Sequence, residues 1–189
     1  MRDAAAIAAR GESFSLMAAA GTVAAAAIVR AGGDALAHGV EVFVGGGNNG
    51  GDGYVVAAQL ARLGVRVRVH AVVPPRSPDC TLAAAIASSV LRDGDIAPFV
   101  ADTPPRIHGR GVLVDALLGT GATGELRAGF AAAAAVINRA REIATLVVAL
   151  DVPTGVDATT GRLASGYVRA HLTLSFGTCK SGVLSARTY

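Results

Sequence analysis

The chain has 189 residues, enough for one domain with a buried core, and 52% of them are hydrophobic. Its net charge of +3 comes from dispersed basic residues, and with five Phe, three Tyr and no Trp nothing resembles the basic, aromatic-laced surface of a nucleic-acid binder. No stretch of 18 uninterrupted apolar residues argues for a membrane span, and Cys80 and Cys179, far apart and without CxxC spacing, read as reduced thiols of a cytoplasmic protein.

The first elements in the chain are two helices, roughly 2–10 and 14–31. Asp3 and Glu12 precede the apolar run and Arg30 falls in its last turn, which suits a helix better than a signal peptide. A valine-rich run at 40–45 has strand length and is followed by "GGGNNGGDG", with a helix expected over 53–64. The next strand, 65–73, ends in the Pro-Pro loop "VVPPRSPD" and leads to a helix at 80–93. After a second Pro-Pro loop, "ADTPPR", come a strand at 111–119, a helix at 128–142 and strands at 145–153 and 171–176. Strand and helix alternate, the signature of a mostly parallel sheet covered on both faces. The expected fold is α/β, a three-layer α/β/α Rossmann-like sandwich with two N-terminal helices. With no linker visible, residues 1–189 read as a single domain.

Ligands of such folds bind beyond the carboxyl ends of the strands. Four polar clusters fall there: "GGGNNGGDG", "DALLGTGATGE", "DVPTGVDATTG" and "GTCKSG". Gly45, Gly47 and Gly50 satisfy GxGxxG, a weak pattern by itself, and the second strand ends without the acidic residue a dinucleotide dehydrogenase uses on the ribose. The glycines can expose backbone N–H groups to a phosphate where the helix opens, near Asp52. Asp115 ends an apolar strand and needs a partner, either a cation or ligand donor or the N–H groups of the glycine loop after it. Asp151 ends the next strand, with Pro153 fixing the direction of the loop that follows. Asp157, Thr159 and Thr160 read as an Asx turn. Lys180 is the only lysine of the chain, a point charge where every other basic position is arginine.

In order and spacing, "GGGNNGGDGYVVAAQLARLG", "VDALLGTGATGEL", "ALDVPTGVDATTG" and "LTLSFGTCKSG" resemble the NAD(P)H-hydrate epimerases, the YjeF N-terminal domain family, and the resemblance covers nearly the whole chain. It implies an isomerase of cofactor repair that interconverts the R and S forms of hydrated NADH and NADPH, working beside a separate S-specific dehydratase, with no dehydratase domain in this chain. It also implies a homodimer and one potassium ion per subunit, held by Asn49, Asp115 and Thr154. The hydrated dinucleotide would meet Asn48, Asn49, Gly50, Gly51 and Asp52, the loop Gly119, Thr120, Gly121, Ala122, Thr123, Gly124 and Glu125, and Asp151.

Epimerisation at C6 of the reduced ring needs a proton donor and acceptor and negative charge beside a transient cation. Asp151 is the first candidate, followed by Asp52 and Lys180. The chain departs from the family pattern in having Thr154 for Ser and Ala18 for Glu, and relatives usually add a further strand after "VLSARTY". A non-catalytic binding or scaffold module of the same fold and a nucleotide-dependent oxidoreductase are the alternatives.

Overall fold

Alternating β-branched runs and alanine-rich segments produce a sheet in which every observed pairing is parallel, as crossover helices demand. The computed structural model describes residues 2–107, 109–142 and 146–186, the first nine of these by their helical backbone alone. Among them the strands are β1 (Val40–Val44), β2 (Val67–Ala71), β3 (Ile96–Pro98), β4 (Val112–Ala116), β5 (Leu146–Leu150) and β6 (Leu172–Leu174). Thr145, expected to open the fourth run, lies outside the described residues.

The strand order is β3-β2-β1-β4-β5-β6. The chain winds outward from β1 in one direction, returns, and winds outward in the other, so β1 and β4 flank the point of reversal. Beyond their carboxyl ends the departing loops separate and leave a crevice.

Period-two alternation assigns the two faces. Val42, Val44, Val69, Val114 and Val148 point to one side, where α1 (Arg2–Gly32), α2 (Asn48–Arg62) and α3 (Pro78–Val90) bury Ile28, Leu60 and Ala87 against them. Phe43, Leu113 and Val147 point to the other, against Ala133, Ala134 and Ile137 of α4 (Ala128–Arg141). Fully burying Leu60 or Ile28 contributes about 1.5–3 kcal/mol each.

Two expectations need correction. The N-terminal pair is one continuous helix, α1, followed by a 3-10 turn at Gly33–His38. Gly11, inside the expected gap, costs a helix only about 1 kcal/mol relative to Ala, too little to break so alanine-rich a segment. The stretch Gly11–His38 is long and apolar enough to cross a membrane by length and composition alone, although, as expected, no 18 of its residues are uninterruptedly apolar. In this structure Met17, Ala24, Ala25 and Ile28 on it pack into the core, and Gln59 of α2 donates to Thr22 Oγ1 at 3.1 Å.

The second correction concerns α2, which begins at Asn48, five residues ahead of the expected start. Close packing explains the glycines of this first turn. A Cβ at Gly50 would collide with the Gly45 carbonyl, and one at Gly53 would lie 2.5 Å from the Ala116 Cβ. The short strand β3 and the helix α5 (Ser181–Ser185) were not expected.

Candidate functional site

A cleft of about 1260 Å³ opens at the point of strand reversal. Its walls come from the first turn of α2, the loop after β4 and the loop after β5. The polar clusters read from the sequence after these three strands therefore converge.

Asn48, Asn49 and Asp52 of the α2 turn reach the cleft, whereas Gly50 and Gly51 back it from behind. A Cβ at Gly51 would press on the Met17 sulfur at 2.6 Å, so this glycine, expected at the substrate, seats α2 on α1 and α3. Residues Gly119 to Glu125 all line the cleft, as expected. Glu125 has a structural tie as well, since its Oε2 accepts the Ser165 N–H at 3.0 Å and holds the glycine loop to the loop after β5.

Asp115 is completely buried at the end of β4. Thr154 donates to it twice, from its backbone N–H to Oδ2 at 2.8 Å and from its hydroxyl to Oδ1 at 2.7 Å. The Leu117 N–H adds a third bond to Oδ1 at 3.2 Å. Burial pushes the Asp115 carboxyl up to about 6, against these bonds, which pull it down. The Thr154 hydroxyl also accepts the Leu118 N–H at 3.2 Å, pinning the β4 loop to the β5 loop.

Asn49 presents the opposite situation. It is buried, yet neither its carbonyl oxygen nor its amide nitrogen has a hydrogen-bond partner. Leaving such groups unsatisfied costs about 1–3 kcal/mol apiece. Its Cβ lies 3.2 Å from where a Gly119 Cβ would stand, and the same point is 3.6 Å from Asp151 Oδ2. The structure thus pairs Asp115 with Thr154, and gathers Asn49, Gly119 and Asp151. Among the described residues no cluster of three His, Cys, Asp or Glu side chains could hold a metal, so any ion would rely on amide, hydroxyl and carbonyl oxygens beside one carboxylate.

Asp151 is held in an unusual backbone conformation. Its φ is +64°, and the Val152 N–H reaches back to the Leu150 carbonyl at 2.8 Å, closing a three-residue γ-turn at the strand end. This reversal, more than Pro153, aims the carboxylate. Oδ1 accepts from Lys180 Nζ at 2.5 Å and from the Phe176 N–H at 3.3 Å. Lys180 also donates to the Phe176 carbonyl. Lys180 does not line the cleft; it sits behind Asp151, which makes it a positioning residue for that carboxylate.

Burial pushes the Asp52 carboxyl up to about 7, and the nearby Asp151 charge adds in the same direction. The site therefore contains an ion-paired carboxylate and, facing the same cleft, a carboxyl poised between its two protonation states at neutral pH. Asp157 is spent on its own loop, as its sequence context indicated, with Oδ1 capping the N–H groups of Thr159 and Thr160.

Sequence reasoning missed the opposite rim. Arg76 and Ser77, from the loop between β2 and α3, and Phe130 of α4 line the cleft. The available signal was negative, the absent acid at the end of β2.

Residues 13–182 match the family profile described as "YjeF-related protein N-terminus". The chain is 38% identical over 157 residues to an NAD(P)H-hydrate epimerase of Pirellula staleyi, covering 79% of this chain and 68% of that protein. It is also 38% identical over 157 residues to the bifunctional NAD(P)H-hydrate repair enzyme Nnr of Hyperthermus butylicus, covering 77% of this chain but spanning only 27% of the relative. The crystal structure of a yeast protein, YNL200c, superposes with a TM-score of 0.68 at 22% identity over 85% of this chain and 69% of the other, a likeness of fold. With most of its length inside that profile, the chain belongs to the YjeF-related protein N-terminus family.

Proposed function

We propose that this chain interconverts the R and S epimers of hydrated NADH and NADPH. The observation that carries the reading is the pair of carboxyl groups in the cleft, Asp52 pushed up to about 7 and Asp151 ion-paired to Lys180, at the strand ends where this fold takes nucleotides. The names of the relatives, epimerase and repair enzyme, support it.

The chemistry requires no redox step. The C6 carbon of the hydrated ring carries a hydroxyl and adjoins the ring nitrogen. Protonated Asp52 gives its proton to the leaving hydroxyl, which departs as water while the nitrogen lone pair forms an iminium. Water then adds to the other face and returns a proton to Asp52, so the carboxyl ends as it began. A group near pKa 7 suits both half-reactions, because donor and acceptor forms are each populated at neutral pH. Asp151 supplies fixed negative charge beside the iminium, and Lys180 fixes its direction. Binding at a helix N-terminus adds the N–H groups that open α2, which suit a pyrophosphate.

The buried residues beneath the cleft fit a potassium ion. Asn49 Oδ1 is an acceptor without a donor, Asp115 is a desolvated carboxylate, and Thr154 Oγ1 keeps a lone pair. The ion would neutralise Asp115 and brace the α2 turn against the β4 and β5 loops. A cytoplasmic homodimer acting beside a separate S-specific dehydratase completes the reading.

The test supplies an R and S mixture of hydrated NADH with an excess of such a dehydratase and follows NADH recovery with and without potassium. Consumption of the R epimer well above its spontaneous rate, and its loss in Asp52→Asn, is the expected result. Persistence of the R epimer in the presence of folded protein leaves a binding module in place of an enzyme.

A further inference from the structure

The missing acid at the end of β2 has a counterpart. In dinucleotide folds that position meets the adenosine ribose, where an acidic residue takes the free 2′-hydroxyl and an arginine accommodates a 2′-phosphate. Here the loop leaving β2 contributes no carboxylate to the cleft and delivers Arg76 instead. From this placement we infer that the cleft carries a 2′-phosphate subsite built on Arg76 and favours the phosphorylated dinucleotide, NADPH hydrate, over NADH hydrate. This inference rests on the reading of the cleft as a pyridine-nucleotide site.

Four observations support it. First, the Arg76 backbone is fixed: its N–H donates to the Gly46 carbonyl at 2.8 Å, and the Ser77 N–H reaches the same oxygen at 3.3 Å. The β2–α3 loop is thereby docked on the Gly-rich turn, with the Arg76 Cγ 3.3 Å from where a Gly46 Cβ would stand. Second, the guanidinium is uncommitted; among the described residues no carboxylate pairs with it. Third, the nearest acid in sequence, Asp79, is engaged elsewhere, accepting from Ser13 of α1 at 2.6 Å.

Fourth, the polarity of the cleft is consistent. Asp151 ends β5, and β2 lies three strands away across β1 and β4. Three strand spacings make about 14 Å, a span that an extended dinucleotide bridges with its hydrated ring at the carboxyl groups and its adenosine at Arg76. A guanidinium matches a dianionic phosphate with two parallel N–H bonds, which an ammonium does not reproduce.

The experiment titrates wild type, Arg76→Ala, Arg76→Lys and Arg162→Ala with adenosine 2′,5′-bisphosphate and with adenosine 5′-monophosphate by calorimetry. Arg76 is solvent-exposed, so its variants are expected to fold, which thermal melting verifies. Wild type should prefer the bisphosphate by roughly ten- to a hundred-fold. Arg76→Ala should abolish the preference, Arg76→Lys should keep part of it, and Arg162→Ala, which removes another cleft arginine, should leave it in place. Equal affinities in wild type, no binding of either compound, or a preference that survives in Arg76→Ala overturns the inference.

The coupled epimerase assay separates this outcome from the fate of the functional reading. Turnover of both hydrates with a kcat/KM ratio untouched by Arg76→Ala sinks the subsite and leaves the epimerase. A bisphosphate preference that follows Arg76 without epimerase activity keeps the subsite and removes the epimerase.

Discussion

Asp52 should reveal itself in stability before it is tested in catalysis. Its carboxyl moves from 3.8 to about 7 on folding, chiefly through desolvation and secondarily through Asp151. The folded state therefore binds this proton more tightly than the unfolded chain. Below pH 3.8 the group is protonated in both states and costs nothing. As pH rises from 3.8 to 7 the unfolded chain loses the proton first, so stability falls across that window and stays lower above it. About three pK units correspond to an upper bound of about 4 kcal/mol.

Asp52→Asn removes the ionisation and keeps the shape. It should leave stability near wild type at pH 4 and raise it at pH 8 by about 2–4 kcal/mol. For a chain of this size each kcal/mol moves Tm by about 2–4 °C. Urea denaturation of both proteins from pH 4 to pH 9 in potassium-free buffer measures the difference directly. A gap between the two proteins that does not change with pH, or an Asp52→Asn protein less stable than wild type at pH 8, refutes the argument that this carboxyl is held near 7. The same substitution should abolish epimerisation, so the group that destabilises the fold would be the one the reaction needs.

Other predictions follow from the same contacts. Asp151→Asn should lower kcat by at least about a hundred-fold, the scale of one lost electrostatic stabiliser, and full retention of epimerase activity would remove Asp151 from the mechanism. Thr154→Ala should cost about 1–3 kcal/mol in urea denaturation because it strips a donor from Asp115 and an acceptor from Leu118, whereas Thr154→Ser should be close to wild type; equal losses in both would point to the methyl group. Potassium should raise Tm in wild type relative to choline, and Asn49→Ala should erase that response while losing little stability in choline, since the amide has no partner to lose; an unchanged potassium response in the variant would place the ion elsewhere.

The sheet was legible because each valine-rich run had the length and β-branched content of a buried parallel strand, and β1, β2, β4, β5 and β6 all fall within the expected segments. β3 was not, being three residues long with a proline at its end, on the edge of the sheet where proline is tolerated. The start of α2 was misplaced because Gly50, Gly51 and Gly53 read as loop by propensity; only the approach of Gly45, Met17 and Ala116 shows that a helix is required there. Asp115 was read from the sequence as a strand-end acid needing partners, but its dependence on Thr154, 39 positions later, is a tertiary fact. The direction of Asp151 was assigned to Pro153, whereas a γ-turn and a lysine from a distant loop set it. Arg76 was invisible because a single arginine beside two prolines has no periodicity or motif to mark it.

The bond between Asp151 and Lys180 also ties the site to the segment that follows β6. The lysine follows its carboxylate by 29 positions, and α5, which starts beside it, seats Gly182 against the Asp157 and Ala158 backbone. The same short segment supplies every outside hold on that turn, the Leu174 carbonyl to the Asp151 N–H at 2.8 Å, the Phe176 N–H to Oδ1 and the Lys180 ammonium, so local opening after β6 would release the carboxylate while β1 and β4 at the centre of the sheet stay paired.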